Sequence, residues 1–199
     1  HTEKIGQRIV VRPTWEEYTP AEDEIVIDLD PGAAFGTGAH ATTAMCLRWL
    51  ERLVSPQMRV YDVGCGSGIL AIAASKIGAG EIIAMDYDPV AVTVADENIR
   101  ANNVGNVTVI QSDLLAVCEG AEPAELITAN IIADIIIRLF DQLDAHLARG
   151  GVLLASGIID DRIADVERAA AEHGYTVLDM TCEKEWAAMI IRRSADLEH

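Results

Sequence analysis

Positive charge is scarce in this sequence. Against 32 Asp and Glu there are 15 Lys and Arg, a formal net charge of −17. That balance argues against a general grip on nucleic acid, which needs Lys and Arg facing phosphates. An acidic surface speeds encounter with cationic partners. It also simply keeps a protein soluble, and composition does not choose between the two. Cysteine is thin as well: Cys46, Cys65, Cys118 and Cys182 form no C-x-x-C pair. Neither a zinc site nor a disulfide framework is suggested, and no metal is expected. There is no signal-peptide pattern, and no apolar run nears the ~20 residues of a membrane helix. With free thiols, these absences lead to the expectation of a cytoplasmic protein without a membrane partner. No internal repeat or low-complexity tract interrupts the chain. What remains is an ordinary globular composition, half hydrophobic and 24% charged, long enough at 199 residues for one domain with a full core. The chain opens on His1 rather than Met and closes on Leu197-Glu198-His199, which reads as a piece of a longer chain ending in the start of a histidine tag.

The stretch from Val60 to Leu70 organises the rest. An apolar run breaks into Gly64, Cys65, Gly66, Ser67 and Gly68, and a helical pattern follows at once. This predicts a strand, a tight turn and a helix, the first half of a βαβ unit. Three glycines in five residues suggest a ligand lying against the main chain of this turn, from Gly64 through Cys65 and Gly66. The next strand ends at Asp86, near the ~20-residue separation at which a carboxylate meets a nucleotide ribose. The dinucleotide fingerprint G-x-G-x-x-G is not met, because Ile69 stands at its third glycine. An NAD site is therefore disfavoured. The pattern Asp62-x-Gly64-x-Gly66-x-Gly68 instead resembles the first motif of class I S-adenosylmethionine-dependent methyltransferases.

Taken in order, Ile5 to Val11 and Glu24 to Leu29 read as short strands, with a polar, proline-bearing linker from Pro13 to Glu24. Asp30 to Thr43 is rich in glycine and small residues and reads as a loop. It precedes a helix striped by Leu47, Leu50 and Val54, with Thr42 or Thr43 as a cap. Ile69 to Ile77 is a helix stopped by Gly78. Asp88-Pro89 opens another. Strands follow at Asn106 to Gln111, Glu125 to Ala129 and Val152 to Ala155, with a helix striped by Ile136, Leu139, Phe140, Leu143 and Leu147 before the last. Asp160-Asp161 caps a further helix, and Tyr175 to Met180 with Trp186 to Arg192 closes the chain as an antiparallel hairpin. Alternating strands and helices predict an α/β doubly wound, mostly parallel sheet. Ligands bind at the carboxyl ends of such strands, where Gly64, Asp86, Asp113 and Asn130 fall. In this fold a carboxylate at Asp113 can accept the adenine amino group.

Pro31-Gly32-x-Ala34-Phe35-Gly36-Thr37-Gly38-x-His40-x-Thr42-Thr43, followed by Asp62-x-Gly64-Cys65-Gly66-Ser67-Gly68-Ile69-Leu70-Ala71-Ile72-Ala73, resembles the methyltransferases of ribosomal protein L11. The similarity runs from about Gly6 to Arg192. It implies a Rossmann-like class I fold, S-adenosyl-L-methionine as cofactor, and transfer of methyl to amino groups, the N-terminal amine and lysines, of that ribosomal protein. It implies cofactor contacts at Thr43, Gly64, Asp86 and Asn130, with Phe35, Gly36, Thr37, Gly38 and His40 closing the pocket. Family members usually carry a separate N-terminal recognition domain, for which residues 1–24 read as the joint. Residues 25–193 read as the methyltransferase domain and 194–199 as a tail.

Lysine must shed its proton before it can attack, and an apolar pocket lowers its pKa. Asn130 is expected to orient the neutral amine. Related amino-methyltransferases often have Asn-Pro-Pro and an aromatic residue at this point, where this chain has Asn130-Ile131-Ile132-Ala133. His40 is a weaker candidate for proton removal. The competing readings are a methyltransferase of another protein or a small molecule, and a non-catalytic cofactor-binding module.

Overall fold

The structure is a computed structural model, and it describes residues 1–30 and 37–198, with side chains from residue 41 onward in the second stretch. Its strands are β1 (Glu3–Lys4), β2 (Ile9–Arg12), β3 (Ile25–Asp28), β4 (Val60–Val63), β5 (Ile82–Asp86), β6 (Val107–Gln111), β7 (Ala124–Asn130), β8 (Leu147–Ile159), β9 (Tyr175–Glu183) and β10 (Trp186–Arg193). Its helices are α1 (Thr37–Leu53), α2 (Ile69–Ile77), α3 (Pro89–Ala101), α4 (Ala133–His146) and α5 (Ile163–Glu172).

Seven strands form the main sheet in the order β6-β5-β4-β7-β8-β10-β9. β4 to β8 run parallel, and β10 is antiparallel to both of its neighbours. The expected doubly wound sheet with a closing hairpin is therefore present. Alternation along each strand sorts the core into two layers. Val60, Leu126, Leu154 and Ile190 face the layer of α1, α2 and α3, while Tyr61, Ile127, Leu153 and Ile191 face α4 and α5. The stripe of α4 is buried as its spacing predicts: Ile136, Leu139, Phe140 and Leu143 are nearly inaccessible. Burying each such side chain contributes about 1.5–3 kcal/mol. Among the described residues no helix is long and apolar enough to cross a membrane.

Two local features match their sequence signals closely. Asp88 caps α3, its carboxylate accepting from the Val90 amide at 2.9 Å with Pro89 at the first helical position. α2 ends at Gly78.

Three differ. α1 begins at Thr37, so Thr42 and Thr43 lie inside it and are buried rather than capping it. The apolar face of Ala41, Ala44, Met45, Leu47 and Leu50 packs on the sheet, and that burial outweighs the loop tendency of Gly36-Thr37-Gly38. β8 starts at Leu147 rather than Val152, through Arg149-Gly150-Gly151. The first strands form a sheet of their own, in which β2 pairs with β3 in parallel across the stretch read as a linker. Ile9 and Ile27 from this small sheet are fully buried in the core beside α1 and α2. Glu51 of α1 accepts the amides of Gln7 and Arg8 at 3.0 and 2.8 Å, holding this segment to the helix.

Candidate functional site

The carboxyl ends of β4, β5 and β6 and the start of α4 enclose a cleft of about 440 Å³. Val63, Met85, Leu114, Ile131 and Ile135 give it apolar walls, and Asp86, Asp113, Tyr87 and Arg138 stand around it.

The glycine turn reaches it at Gly64. The three glycines have three different reasons. A Cβ at Gly64 would lie 2.4 Å from the Ile131 side chain, and one at Gly68 would press on Ala95 of α3 at 3.3 Å. Both permit close packing within the protein. Gly66, at φ +53, has nothing within 4 Å of its missing Cβ, so it alone leaves open space beside the main chain. Cys65 turns inward: it is 7% exposed, and burial raises its thiol pKa, with the Asp62 and Asp86 charges adding to the effect. It packs, and it does not line the cleft.

Asp86 ties this turn to the next strand. Its Oδ2 accepts from the Gly66 amide and its Oδ1 from the Asp88 amide, both at 3.0 Å. A carboxylate has about four acceptor sites, so two remain for hydroxyl donors. Beyond β6, Ser112 Oγ donates to Leu114 O and accepts from Val117 N, holding Leu114 at φ +53, a conformation uncommon outside glycine. This turn brings Leu114 to the cleft wall. Asp113 beside it is exposed and meets Arg138 of α4 at 3.4 Å, a solvated pair of little energetic weight.

These residues fit S-adenosylmethionine. Asp86 suits a ribose diol, the apolar walls suit adenine, Gly66 leaves room along the main chain, and the turn carries no cationic cradle for a pyrophosphate. Among the described residues, no group of three or more His, Cys, Asp or Glu is placed to hold a metal ion.

The family model for ribosomal protein L11 methyltransferase (PrmA) matches residues 1–194. The chain belongs to the ribosomal protein L11 methyltransferase family. It is 54% identical over 190 residues to the ribosomal protein L11 methyltransferase of Caldanaerobacter subterraneus subsp. tengcongensis, covering 96% of this chain and 60% of that protein. It is 50% identical over 193 residues to that of Heliobacterium modesticaldum, with the same coverage. The chain thus spans about 60% of the length of the curated relatives it matches. A crystal structure of ribosomal protein L11 methylase from Lactobacillus delbrueckii subsp. bulgaricus matches with a TM-score of 0.88 at 36% identity, over 97% of both chains.

In this member of the L11 methyltransferase family, the residues singled out from sequence, apart from the inward-turned Cys65, fall into three groups. Gly64, Asp86 and Asp113 line the cleft. Thr43, Gly66 and Asn130 stand just outside its lining. Gly66 is bonded to Asp86, and Asn130 Nδ2 makes a long 3.5 Å contact to Thr43 Oγ1. Phe35 and Gly36 lie outside the described residues, and so do the side chains of Thr37 and His40 and the surroundings of Gly38, although the backbone of these last three is the start of α1.

Sequence reasoning missed Tyr87, Ile131, Ile135 and Arg138. Tyr87 is 74% exposed directly after Asp86 at the end of β5, and an aromatic residue at that point is a signal the sequence carries. Arg138 is visible only once α4 is docked.

Beneath the turn lies Asp62, 1% exposed, with Oδ1 accepting from Thr128 Oγ1 at 2.8 Å. Burial pushes its carboxyl up to about 7, against that hydrogen bond, and the nearby Asp86 charge adds to the rise. Through Thr128, Asp62 joins β4 to β7 under the site.

Proposed function

We propose that this chain transfers methyl groups from S-adenosyl-L-methionine to amino groups, lysine side chains or the N-terminal amine, of ribosomal protein L11. Family membership supports the reading, and the arrangement of four strand ends carries it. Gly64 after β4, Asp86 at the end of β5, Asp113 after β6 and Asn130 at the end of β7 stand along one edge of the sheet.

When bound, the cofactor supplies a methyl group already activated on a sulfonium. The protein's task is then to position and desolvate. Asp86 accepts ribose hydroxyls, Asp113 accepts from the adenine amino group, and the apolar walls exclude water. The amine must arrive neutral, although lysine ordinarily titrates near ~10.4. Ile131 in the cleft wall and Ile132, 63% exposed beside Asn130, present apolar surface that lowers an amine's pKa by desolvation. Asn130 Oδ1 accepts from the neutral amine and turns its lone pair towards the methyl group. The relatives are longer than this chain, and we assign docking of L11 in part to the portion of those proteins that these 199 residues do not span. Its loss lowers affinity for L11 and spares cofactor binding.

Incubation with isotope-labelled cofactor and purified L11, followed by peptide mass spectrometry, tests the reading. Methyl groups on lysines or the N-terminal amine are expected. Label on carboxylates, or on no L11 peptide at high substrate concentration, would overturn it.

A further inference from the structure

β8 carries an irregularity that the reaction as described does not use. Opposite it on β10, Ala187 faces Ile158 while Met189 faces Ala155. One residue of β10, Ala188, therefore faces two of β8, Ser156 and Gly157. This is a β-bulge with its glycine at φ +82. Bulges of this kind bend a strand and re-aim what lies beside it, and they recur next to active sites.

Here the neighbour is the end of β7. The Ile131 amide donates to Ser156 O at 3.0 Å. A Cβ at Gly157 would lie 2.7 Å from Ile131 O and 3.1 Å from Asn130 Oδ1. From the other side, Gly64 leaves room for the Ile131 side chain, where a Cβ would stand at 2.4 Å. Asn130 and Ile131 are thus held between two places where only a missing side chain lets the backbone through. The contact from Asn130 Nδ2 to Thr43 leaves Oδ1 as the atom on the Gly157 side.

We infer that Gly157, through the bulge at Ser156–Gly157, is a positioning residue that sets the orientation of the Asn130 carbonyl oxygen for methyl transfer. This rests on the amine-orienting role proposed for Asn130. Any side chain at position 157 forces Ile131 O, a backbone atom, to move, and Asn130 with it. Misplacement of a reacting group by ~1 Å can cost up to ~10²-fold in rate.

The same strand provides the control. Gly150 of β8 also has positive φ, at +74, yet a Cβ there meets only the Arg192 guanidinium at 3.8 Å. Gly150→Ala carries comparable backbone strain with no effect on Asn130. The experiment compares wild type, Gly150→Ala, Gly157→Ala, Asn130→Ala and the double variant Gly157→Ala/Asn130→Ala. Melting temperature, cofactor Kd, kcat on L11, and the side-chain amide resonance of Asn130 in ¹⁵N-labelled protein are read for each.

Gly157→Ala should lower kcat by tenfold or more with little change in cofactor Kd, and shift the Asn130 resonance. Gly150→Ala should do neither. In the Asn130→Ala background, Gly157→Ala should cost no further turnover, the non-additivity of two residues acting as one unit. A folded Gly157→Ala variant with an unmoved Asn130 resonance would overturn the inference. So would additive losses in the double variant, or equal damage from Gly150→Ala. If wild type itself fails to methylate L11 even at high L11 concentration, the proposed substrate is wrong, and the resonance comparison still decides the positioning claim.

Discussion

Replacing Asp86 by alanine probes the link between the glycine turn and the proposed ribose side of the cleft. The carboxylate holds two amides at 3.0 Å, from Gly66 and Asp88, and has acceptor capacity left for ribose hydroxyls. A hydrogen bond to a charged group contributes about 1.5–3 kcal/mol. Losing one weakens affinity by roughly ten- to a hundredfold at ~1.4 kcal/mol per decade. Losing two does not double the effect, because both share one carboxylate and one rigid diol. The freed amides sit where water can reach them, so stability should fall by only about 1–2 kcal/mol. Titration calorimetry with S-adenosylmethionine and with its demethylated product S-adenosylhomocysteine should show the same loss for both, since the ribose is common to them. Asp86→Asn should fall between, as it keeps one acceptor oxygen but points an amide N–H₂ at one of the two N–H donors. A well-folded Asp86→Ala protein that binds the cofactor within about twofold of wild type would refute the ribose role, and with it the reading of this edge of the cleft.

Asp62 makes a pH prediction. Its folded value is pushed up to about 7 from an ordinary 3.8, so folding takes up a proton between these values and stability falls as pH rises through that window. At ~1.36 kcal/mol for each pH unit between the two values, the loss reaches roughly 4 kcal/mol. Urea unfolding at several pH values should show Asp62→Asn flatter than wild type across it, and parallel curves would contradict the burial argument. Asn130→Ala should reduce kcat more than it raises cofactor Kd, because orienting the amine matters mainly in the transition state; equal losses would leave it a cofactor ligand only. Gly64→Ala should lower the melting temperature by several degrees through its 2.4 Å encounter with Ile131 and a strained φ of +68. An unchanged melting curve would mean that the β7–α4 turn yields easily.

The parts legible in the sequence were those fixed by local chemistry. Asp88-Pro89 announced α3, Gly78 ended α2, and the stripe on α4 matched its buried face because each rests on short-range geometry. The strand-end placement of Gly64, Asp86 and Asn130 was legible because a doubly wound sheet brings its carboxyl ends to one edge. What escaped depends on partners far along the chain. α1 starts inside a glycine-bearing run because its apolar face is buried by the sheet. β2 and β3 pair in parallel, a choice that neither strand encodes alone. Gly68 reads as part of a ligand loop but answers to Ala95 of α3. The bulge left one trace, a glycine shortly after the apolar run 152–155 of β8, and a glycine inside a strand often marks a bulge or close backbone approach.

The antiparallel strand β10 has a bearing on how the chain tolerates damage. It supplies Ala187, Ala188 and Met189, against which the irregular turn of β8 is registered. A chain cut after α5 would retain every residue proposed to touch the cofactor and lose the template that keeps Ser156 and Gly157 in place. Substitutions in this stretch of β10 that leave the buried Ile190 and Ile191 in place should therefore lower turnover more than occupancy of the proposed cofactor site. For mutational scans of this family, remoteness in primary structure from the glycine-rich segment is a poor guide to which replacements are silent.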